Sequence, residues 1–456
     1  MSRPLDLQPV IDSDMCIGCG VCLHVDETLE LAIDENTQSI RPSHASTPDA
    51  AAVCPAVGVD FPGLHEWLFD ETDVGPFGVV DEVFLAQSTD EERNLRASSG
   101  GLIKEMLIEL LGRPDVDGAI ALSHVDGLDF RPRLLTRPEE VDTLPGSIYH
   151  ALSQPEALEL LREGEGRFVL VAIPCQLEGI YSWIRAHEPA LRERIHTTIG
   201  LLCGWQFNHH ALRAICQFKG IDFTAISDIA YRGGGPIGKL RITTRPADAD
   251  DPELHTIGRR VDFGYQVAFD RSFNLPRCHV CIDHSNFLAD VVVGDAWLPS
   301  TVTSRSGVSL IVSRTPATTR LLHDLEEGGR VTTLTVTTEE VRESQKERIA
   351  FGDFAYAYAD HRRALGLHTP DMVGPNRDAA SPVDARQVEH FHTEFVRKRE
   401  LQAARRYRAL WWRKATVELR RHVARYVNWA LVRVLKIKSM YGGRKEPDRG
   451  DMARFR

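Results

Sequence analysis

The central part of the chain alternates short apolar runs with segments whose apolar residues recur at helical spacing. In the first such segment, the apolar residues on one helical face are Ile103, Met106, Leu107, Leu110 and Leu111. The predicted elements are a helix at 102–111, strands at 118–122 and 168–173, a helix at 177–186, a strand at 196–202 and a helix at 209–218. Strands that alternate with helices favour parallel pairing through right-handed crossovers. The pattern predicts an α/β body.

After residue 225 the pattern changes to strands with few helices between them. The predicted strands are residues 228–232, 239–244, 290–295 and 308–314. We therefore expect an α/β fold, α+β over the whole chain, in which the central domain has a mixed sheet.

The chain divides into three predicted domains. A small cysteine-containing module occupies residues 1–62, the α/β pattern occupies residues 83–345, and a helix-prone basic tail occupies residues 386–445. Two stretches rich in Gly, Pro and Asp, residues 70–78 and 365–386, are interpreted as linkers.

Charge is unevenly distributed along the 456 residues. The net charge is −11, yet residues 386–445 contain 17 Lys and Arg against 4 Asp and Glu, which leaves 37 against 61 elsewhere. The acidic body argues against nucleic acid as the main partner, because phosphate binding requires clustered Lys and Arg.

The basic tail carries tryptophans among its arginines and an apolar helical face. The tryptophans are Trp411, Trp412 and Trp429, and the face consists of Val423, Val427, Ala430, Val434 and Ile437. A basic amphipathic helix suits an anionic membrane surface, and it equally suits packing on the body or on a partner subunit. The chain shows no secretory signal and no run of about 18 apolar residues. We expect a cytoplasmic protein, with peripheral contact at the inner face of the membrane left open.

Four cysteines near the N-terminus have iron–sulfur spacing. Cys16, Cys19 and Cys22 form C-x-x-C-x-x-C, and Cys54 directly precedes Pro55. In two-cluster bacterial ferredoxins the Cys-Pro cysteine ligates the other cluster, but the chain has no second run of this kind. We therefore predict one ferredoxin-like 4Fe-4S module. Zinc is the alternative, although structural zinc usually takes two separated ligand pairs, and reduced thiols agree with the cytosol.

Four later cysteines suggest a second cluster. Cys175 and Cys203 each follow a predicted strand, and ligand sites in open α/β sheets collect at the carboxyl edge. Cys278 and Cys281 supply a C-x-x-C, completing four thiols. The alternatives are buried core cysteines for the first two, and a redox disulfide or half of a zinc site for the C-x-x-C. Cys216 is interpreted as structural.

A run of small residues directly precedes the first central helix. Ser99, Gly100 and Gly101 leave backbone N–H groups available at the helix N-terminus, which suits a phosphate or pyrophosphate. An ordinary serine N-cap is the alternative.

A glycine-rich run matches the dinucleotide pattern only in its letters. Gly233, Gly235 and Gly238 form G-x-G-x-x-G between two predicted strands, whereas the fingerprint requires a following helix. We interpret the run as a hairpin loop and reject a nicotinamide site. Arg232 and Lys239, which flank the run, could contact an anionic cofactor, and solvated surface charges are the alternative. Asp295, after a later strand, is either a turn residue or a ligand of a flavin or substrate.

The order of several motifs resembles the coenzyme F420 hydrogenase/dehydrogenase beta-subunit family. The motifs are SSGGLIKEMLIELL, GSIYHALSQPEAL, AIPCQLEGI, IGLLCG, YRGGGPIGKLRI, RCHVCIDHSNFLADVVVGDAW and GVSLIVSRT. The resemblance extends over roughly residues 83–325. The resemblance implies an FAD-containing iron–sulfur oxidoreductase with a central flavin domain. By position, it implies flavin contacts from Ser99, Gly100, Gly101, Lys239 and Asp295, and an inner 4Fe-4S cluster on Cys175, Cys203, Cys278 and Cys281.

Three functions remain open on these observations. The first relays electrons between a small-molecule hydride carrier, such as coenzyme F420, at FAD and two 4Fe-4S clusters that serve a redox partner protein. The second is a flavin reductase of another reducible organic substrate, supplied by external ferredoxin. The third is a non-catalytic electron-transfer subunit. No catalytic side chain is predicted.

Overall fold

The computed structural model describes residues 6–71, 75–235, 238–245, 251–301, 306–372, 374 and 380–435. Its strands are β1 (Leu31–Ile33), β2 (Ile40–Pro42), β3 (Gly58–Val59), β4 (Glu82–Ser88), β5 (Gly118–Asp126), β6 (Asp129–Leu135), β7 (Phe168–Ala172), β8 (Ile195–Leu201), β9 (Ile226–Ala230), β10 (Lys239–Thr244), β11 (Glu253–Gly258), β12 (Val291–Asp295), β13 (Ser309–Ser313), β14 (Val331–Thr335) and β15 (Asp371–Met372).

The α-helices follow the same chain order. They are α1 (Gln8–Asp12), α2 (Pro48–Val53), α3 (Phe61–Phe69), α4 (Glu91–Arg96), α5 (Leu102–Leu111), α6 (Glu156–Glu163), α7 (Pro174–His187), α8 (His210–Lys219), α9 (Phe263–Ala268), α10 (Pro316–Glu327), α11 (Thr338–Ser344), α12 (Lys346–Ala364), α13 (Ala385–Ala403) and α14 (Tyr407–Leu435).

Within the described residues, the central sheet has eight strands in the order β14-β4-β13-β12-β8-β7-β5-β6. The inner strands β5, β7, β8 and β12 pair in parallel, whereas β6, β13, β4 and β14 pair antiparallel to their neighbours. The predicted α/β class and mixed sheet are therefore confirmed. β7 and β8 are direct neighbours, with Ala172 opposite Gly200, so the segments that carry Cys175 and Cys203 leave the sheet side by side.

The predicted amphipathic helix at residues 102–111 is confirmed as α5. Met106, Leu107, Leu110 and Leu111 are buried against the sheet, and Ile103 is partly buried. The spacing predicted this face correctly because residues three and four apart lie on one side of a helix.

The glycine-rich run joins two antiparallel strands, as predicted. β9 pairs with β10 and β10 with β11 in a separate three-stranded sheet. A strand follows the run where a dinucleotide fingerprint needs a helix, so the hairpin interpretation is confirmed, although positions 236 and 237 lie outside the described residues.

The N-terminal module packs directly on the central body. An added Cβ at Gly18 would lie 2.1 Å from the Leu152 carbonyl oxygen, and one at Gly20 would lie 2.4 Å from Pro155 Cα. Both glycines have positive φ, 74° and 80°. Glycine suits both positions for two reasons: it adopts a left-handed backbone without strain, and it has no Cβ to clash with the body.

The two predicted linkers differ from simple connectors. β15 lies inside the second one and pairs in parallel with β3 of the N-terminal module. That interpretation was wrong for residues 371 and 372, because their backbone completes a sheet. In the first linker, residues 72–74 lie outside the described residues.

The basic tail begins as two helices, α13, which packs against the body along its length, and α14, which packs through its first turn. The buried tail residues are Val388, Phe395, Gln402, Tyr407 and Leu410. On the predicted apolar face, Val423 and Val427 are 54% and 47% exposed. The remaining members of that face, and Trp429, have side chains outside the described part of the chain. Among the described helices, none combines the length and apolarity needed to cross a membrane.

Candidate functional site

The four N-terminal thiols converge although they come from two separate segments. Cys22 lies in a short 3-10 turn after Gly20, and Cys54 directly follows α2. The Cys22 thiol interacts electrostatically with Cys19, Cys54 and Cys16. The Gly18 amide donates a hydrogen bond of 3.4 Å to Cys16 Sγ. These four residues, Cys16, Cys19, Cys22 and Cys54, are called the outer thiol set below.

The inner thiol set consists of Cys175, Cys203, Cys278 and Cys281. Cys175 is the second residue of α7, Cys203 follows β8, and the other two belong to the segment around the 3-10 helix Pro276–Val280. Burial raises the pKa of Cys175, and its thiol also interacts with the other three. The fold therefore places these four thiols near enough to interact, and their joint ligation of a cluster stays a prediction.

Side chains and backbone groups fix the segments that carry the inner set. Gln176 accepts a hydrogen bond from the Ile173 amide at 3.2 Å, which caps the start of α7. The Cys203 amide donates to the His284 carbonyl at 3.2 Å, and the Gln206 amide donates to Cys278 Sγ at 3.3 Å. The loops at the sheet edge and the C-x-x-C segment therefore hold each other in place.

Asn286 connects the same loop to the ends of two strands. Its Nδ2 donates to the carbonyl of Ala172 in β7 at 3.0 Å and to that of Leu201 in β8 at 3.4 Å. Asn286 is fully buried. The sequence analysis missed this positioning role, since an asparagine after a C-x-x-C motif gives no periodic signal.

The thiols of both sets are buried or partly buried and form no disulfides. All nine cysteines are free of disulfides, and burial raises the pKa of Cys19 and of Cys203 to about 12. Thiols buried this densely become thiolates only when a positively charged ligand displaces their protons, as metal binding does. Within the described ranges, no three His, Cys, Asp or Glu side chains are placed to hold one metal ion. Within each set, the thiols lie near enough to interact electrostatically.

A buried ion pair lies between the two thiol sets. Arg277 Nη2 lies 2.7 Å from Glu178 Oε2, and the two side chains are 1% and 0% exposed. Burial raises the pKa of Glu178, while the guanidinium of Arg277 lowers it. Sequence reasoning missed both residues, because each stands inside a motif that was interpreted only through its cysteines.

The loop before α5 is held tightly against the sheet. Ser99 Oγ donates to the Val308 carbonyl at 3.0 Å, and the Gly100 amide donates to Ser309 Oγ at 2.9 Å. Gly101 is the N-cap of α5 in the left-handed region, with φ of 83°. The Ser99 hydroxyl and the Gly100 amide are therefore engaged within the protein, so they shape this loop.

Asp295 lies next to the same loop and pairs with a buried arginine. Ser99 Oγ lies 3.3 Å from the carbonyl of Gly294, the preceding residue. Arg232 Nη1 lies 2.7 Å from Asp295 Oδ2, with side-chain exposures of 4% and 17%. Burial lowers the pKa of Arg232, but Tyr149 and Asp295 outweigh this effect and raise it.

Lys239 lies at the start of β10 with an exposed side chain. Its amide donates to the Gly233 carbonyl at 3.3 Å, and the Gly234 amide donates to the carbonyl of Leu95 in α4 at 2.8 Å. The glycine-rich hairpin therefore packs beside the segment that leads into Ser99. The fold brings Ser99, Gly100, Asp295 and the hairpin together, and Arg232, which the sequence marks as a charge flanking the glycine-rich run, joins this group by pairing with Asp295.

Two family models match the central part of the chain, and both describe the beta subunit of coenzyme F420 hydrogenase/dehydrogenase. Residues 83–159 match the model of its N-terminal part, and residues 166–339 match the model of its C-terminal part. Together they span the eight-stranded sheet apart from Glu82 at the start of β4, and all three segments that carry the inner thiol set.

Relatives of this chain occur in Methanosarcina mazei and Methanothermobacter thermautotrophicus. The F(420)H(2) dehydrogenase of the first organism contains a polypeptide that is 23% identical over 311 residues, which cover 65% of this chain and 80% of that protein. The beta subunit of the coenzyme F420 hydrogenase of the second organism is 25% identical over 313 residues, covering 64% and 99%.

A solved structure is also similar. A chain of the F420-reducing NiFe hydrogenase complex from Methanosarcina barkeri, studied by xenon derivatization, aligns with a TM-score of 0.49 and 19% identity, covering 65% of this chain and 98% of that one. The order of motifs predicted the family, and the two family models confirm it. The chain belongs to the coenzyme F420 hydrogenase/dehydrogenase beta-subunit family, a family of oxidoreductases.

Proposed function

We propose that this oxidoreductase exchanges electrons between a hydride carrier of the coenzyme F420 type and a protein redox partner, using FAD and two 4Fe-4S clusters. The observation that carries the proposal is that two sets of four thiols adjoin α7, which carries Cys175 of the inner set and lies against Cys19 of the outer set. When bound, a flavin supplies the exchange between two-electron and one-electron chemistry, and iron–sulfur clusters supply one-electron steps.

The residues of the chain have separate roles in this proposal. The outer and inner thiol sets would each hold one cluster. Arg232 and Lys239 would face the anionic part of the flavin, while the Ser99–Gly101 loop would give the cofactor its close approach to the sheet. Asp295 would orient the Arg232 guanidinium through their ion pair.

The acidic body and the N-terminal module suggest where the partner binds. In this proposal the acidic N-terminal module, which carries the outer set, is either the docking face for a redox protein or the point at which electrons enter. We also propose that the protein is cytoplasmic and that its basic tail is the segment through which it would contact the inner face of the membrane.

An anaerobic cofactor count tests the proposal. Purified protein should contain about eight irons and eight sulfides per chain, as two cubes require, and one flavin that is released on denaturation. It should also bleach the absorbance of oxidised coenzyme F420 when reduced by a low-potential donor. A content of about four irons per chain would mean that the protein holds one cluster and not two. Purified protein without flavin would contradict the proposed hydride exchange.

A further inference from the structure

The Glu178–Arg277 ion pair occupies the space between the outer and inner thiol sets. Both charges are buried, and a buried ion pair is weak evidence for stability, since its desolvation offsets much of its attraction. Stability therefore does not explain why this ion pair lies between the two thiol sets.

Helix α7 brings the two thiol sets close to one another. Cys175 of the inner set lies in its first turn, and an added Cβ at Gly179, one turn later, would lie 3.2 Å from Cys19 Sγ of the outer set. Four residues advance a helix by about 6 Å. Glu178 lies in this interval, on the turn between the two contacts.

Arg277 makes the matching connection from the other side. Its Nε donates to the carbonyl of Pro55 at 3.2 Å, directly after Cys54 of the outer set. It precedes Cys278 of the inner set in sequence, and its charge interacts with the thiols of Cys281 and Cys175.

Glu178 interacts electrostatically with both sets, with Cys19 on one side and with Cys175 and Cys203 on the other. Other charges interact with one set only: Asp14 with Cys16, Arg348 with Cys203, and Asp283 with Cys203 and Cys281. Glu178 Oε1 has no hydrogen-bond partner within the described part of the molecule. Arg277 contacts the other carboxylate oxygen, Oε2, so Oε1 receives no hydrogen bond that would offset its negative charge.

We infer that the charges of Glu178 and Arg277 set the relative reduction potentials of the outer and inner clusters. The inference rests on the proposed function, because it requires both clusters. A cluster becomes more negative on reduction, so a nearby cation favours its reduced form and a nearby anion its oxidised form, with net charge among the determinants of potential. Arg277, closer to the inner thiols, favours reduction there, and Glu178 opposes reduction at both sets.

The test is an EPR-monitored redox titration of the full-length holoprotein and four variants. E178Q should shift both midpoint potentials to more positive values, and R277Q should shift the inner midpoint to more negative values. R277K retains the charge and should lie between R277Q and the unmodified protein. E105Q is the matched control, since Glu105 is a buried carboxylate paired with Arg93 and Arg330 on α5, and its potentials should equal those of the unmodified protein.

Iron content, measured on the same samples, separates the possible failures. Two clusters in the unmodified protein with potentials that do not move in E178Q and R277Q would overturn the inference and leave the proposed function standing. Fewer than two clusters in the unmodified protein would overturn both. If E178Q loses iron, the comparison of R277Q with R277K, which differ mainly in charge, still decides the sign of the effect.

Discussion

The outer and inner thiol sets differ in how the chain assembles them. Three outer thiols come from one turn of seven residues, Cys16 to Cys22, with only Cys54 supplied from farther along. The inner set draws on three segments between residues 175 and 281, placed together by a sheet edge and a returning loop. One site is mainly a property of a short peptide, and the other is a property of the whole fold.

The same comparison explains why the two sets tolerate different changes. In the outer set, glycines with positive φ shape the peptide and press it on the body. In the inner set, Asn286 and Gln176 hold strand ends and a helix start in register. Changes to local backbone should therefore affect the outer set, and changes to loop-bridging side chains should affect the inner set.

The largest expected effect is the loss of one complete cluster. Cys203→Ala removes an inner thiol, so the protein should retain about four of about eight irons, while Cys19→Ala should lose the other four. Anaerobic iron and sulfide analysis measures both losses.

Cys216→Ala is the control for these two variants. Cys216 is a buried cysteine of α8 outside both sets, so its replacement should leave the iron content unchanged. If C203A and C216A contained equal amounts of iron, Cys203 would not be a cluster ligand, and the inner cluster would be ruled out.

A second effect tests the contact between the outer loop and the body. Gly20→Ala places a Cβ 2.4 Å from Pro155 Cα at a φ of 80°, so the free energy of unfolding should fall by about 2–5 kcal/mol from backbone strain and overpacking. Anaerobic urea titration followed by circular dichroism measures this change.

Gly220→Ala separates the two causes in that experiment. Gly220 has a φ of 69° but no atom within 4 Å of its added Cβ, so only the backbone cost of about 1–2 kcal/mol applies. If both variants lose the same stability, the outer loop is not pressed against the body.

A smaller effect is a pH dependence at the boundary between module and body. His210 Nε2 lies 2.8 Å from the carbonyl of Asn36, and burial lowers the pKa of His210 from 6.5 to about 4. The unfolded chain binds the proton first as pH falls, so His210 should contribute a decrease in stability of up to about 1.4 kcal/mol per pH unit between pH 6.5 and 4. Other buried histidines with lowered pKa values, such as His279 and His284, add to the total slope.

The slope of unfolding free energy against pH checks this assignment. His210→Asn should reduce the slope in that interval, because the variant no longer carries a group with different pKa values in the two states. An unchanged slope would assign the pH dependence to other groups, such as His150, whose pKa burial lowers to about 3.

The smallest expected effect is at the surface of the same boundary. Arg185 of α7 lies 2.6 Å from Asp60, with side-chain exposures of 36% and 59%. An exposed ion pair contributes about 0–1 kcal/mol, so Arg185→Met should lower the free energy of unfolding by less than Gly20→Ala. A larger loss in the urea titration would mean that this contact, and not the glycine loop, holds the module.

Much of the site could be predicted because the relevant signals are local or periodic. The spacing of Cys16, Cys19 and Cys22, the alternation of strands and helices, and the two strand-end cysteines all follow from short-range patterns. The pairing of β15 with β3 could not be predicted, since a two-residue strand in a segment rich in Gly and Pro carries no periodic signal.

The sequence by itself determined the outer thiol pattern, the α/β class and the strands after which Cys175 and Cys203 lie, because these depend on spacing along the chain. Only the tertiary structure decided that β7 and β8 are neighbours, that the C-x-x-C segment returns to their edge, and that Glu178 and Arg277 meet between the two sets. The physical reason is that burial and charge pairing depend on contacts between segments about 100 residues apart, which spacing along the chain does not encode.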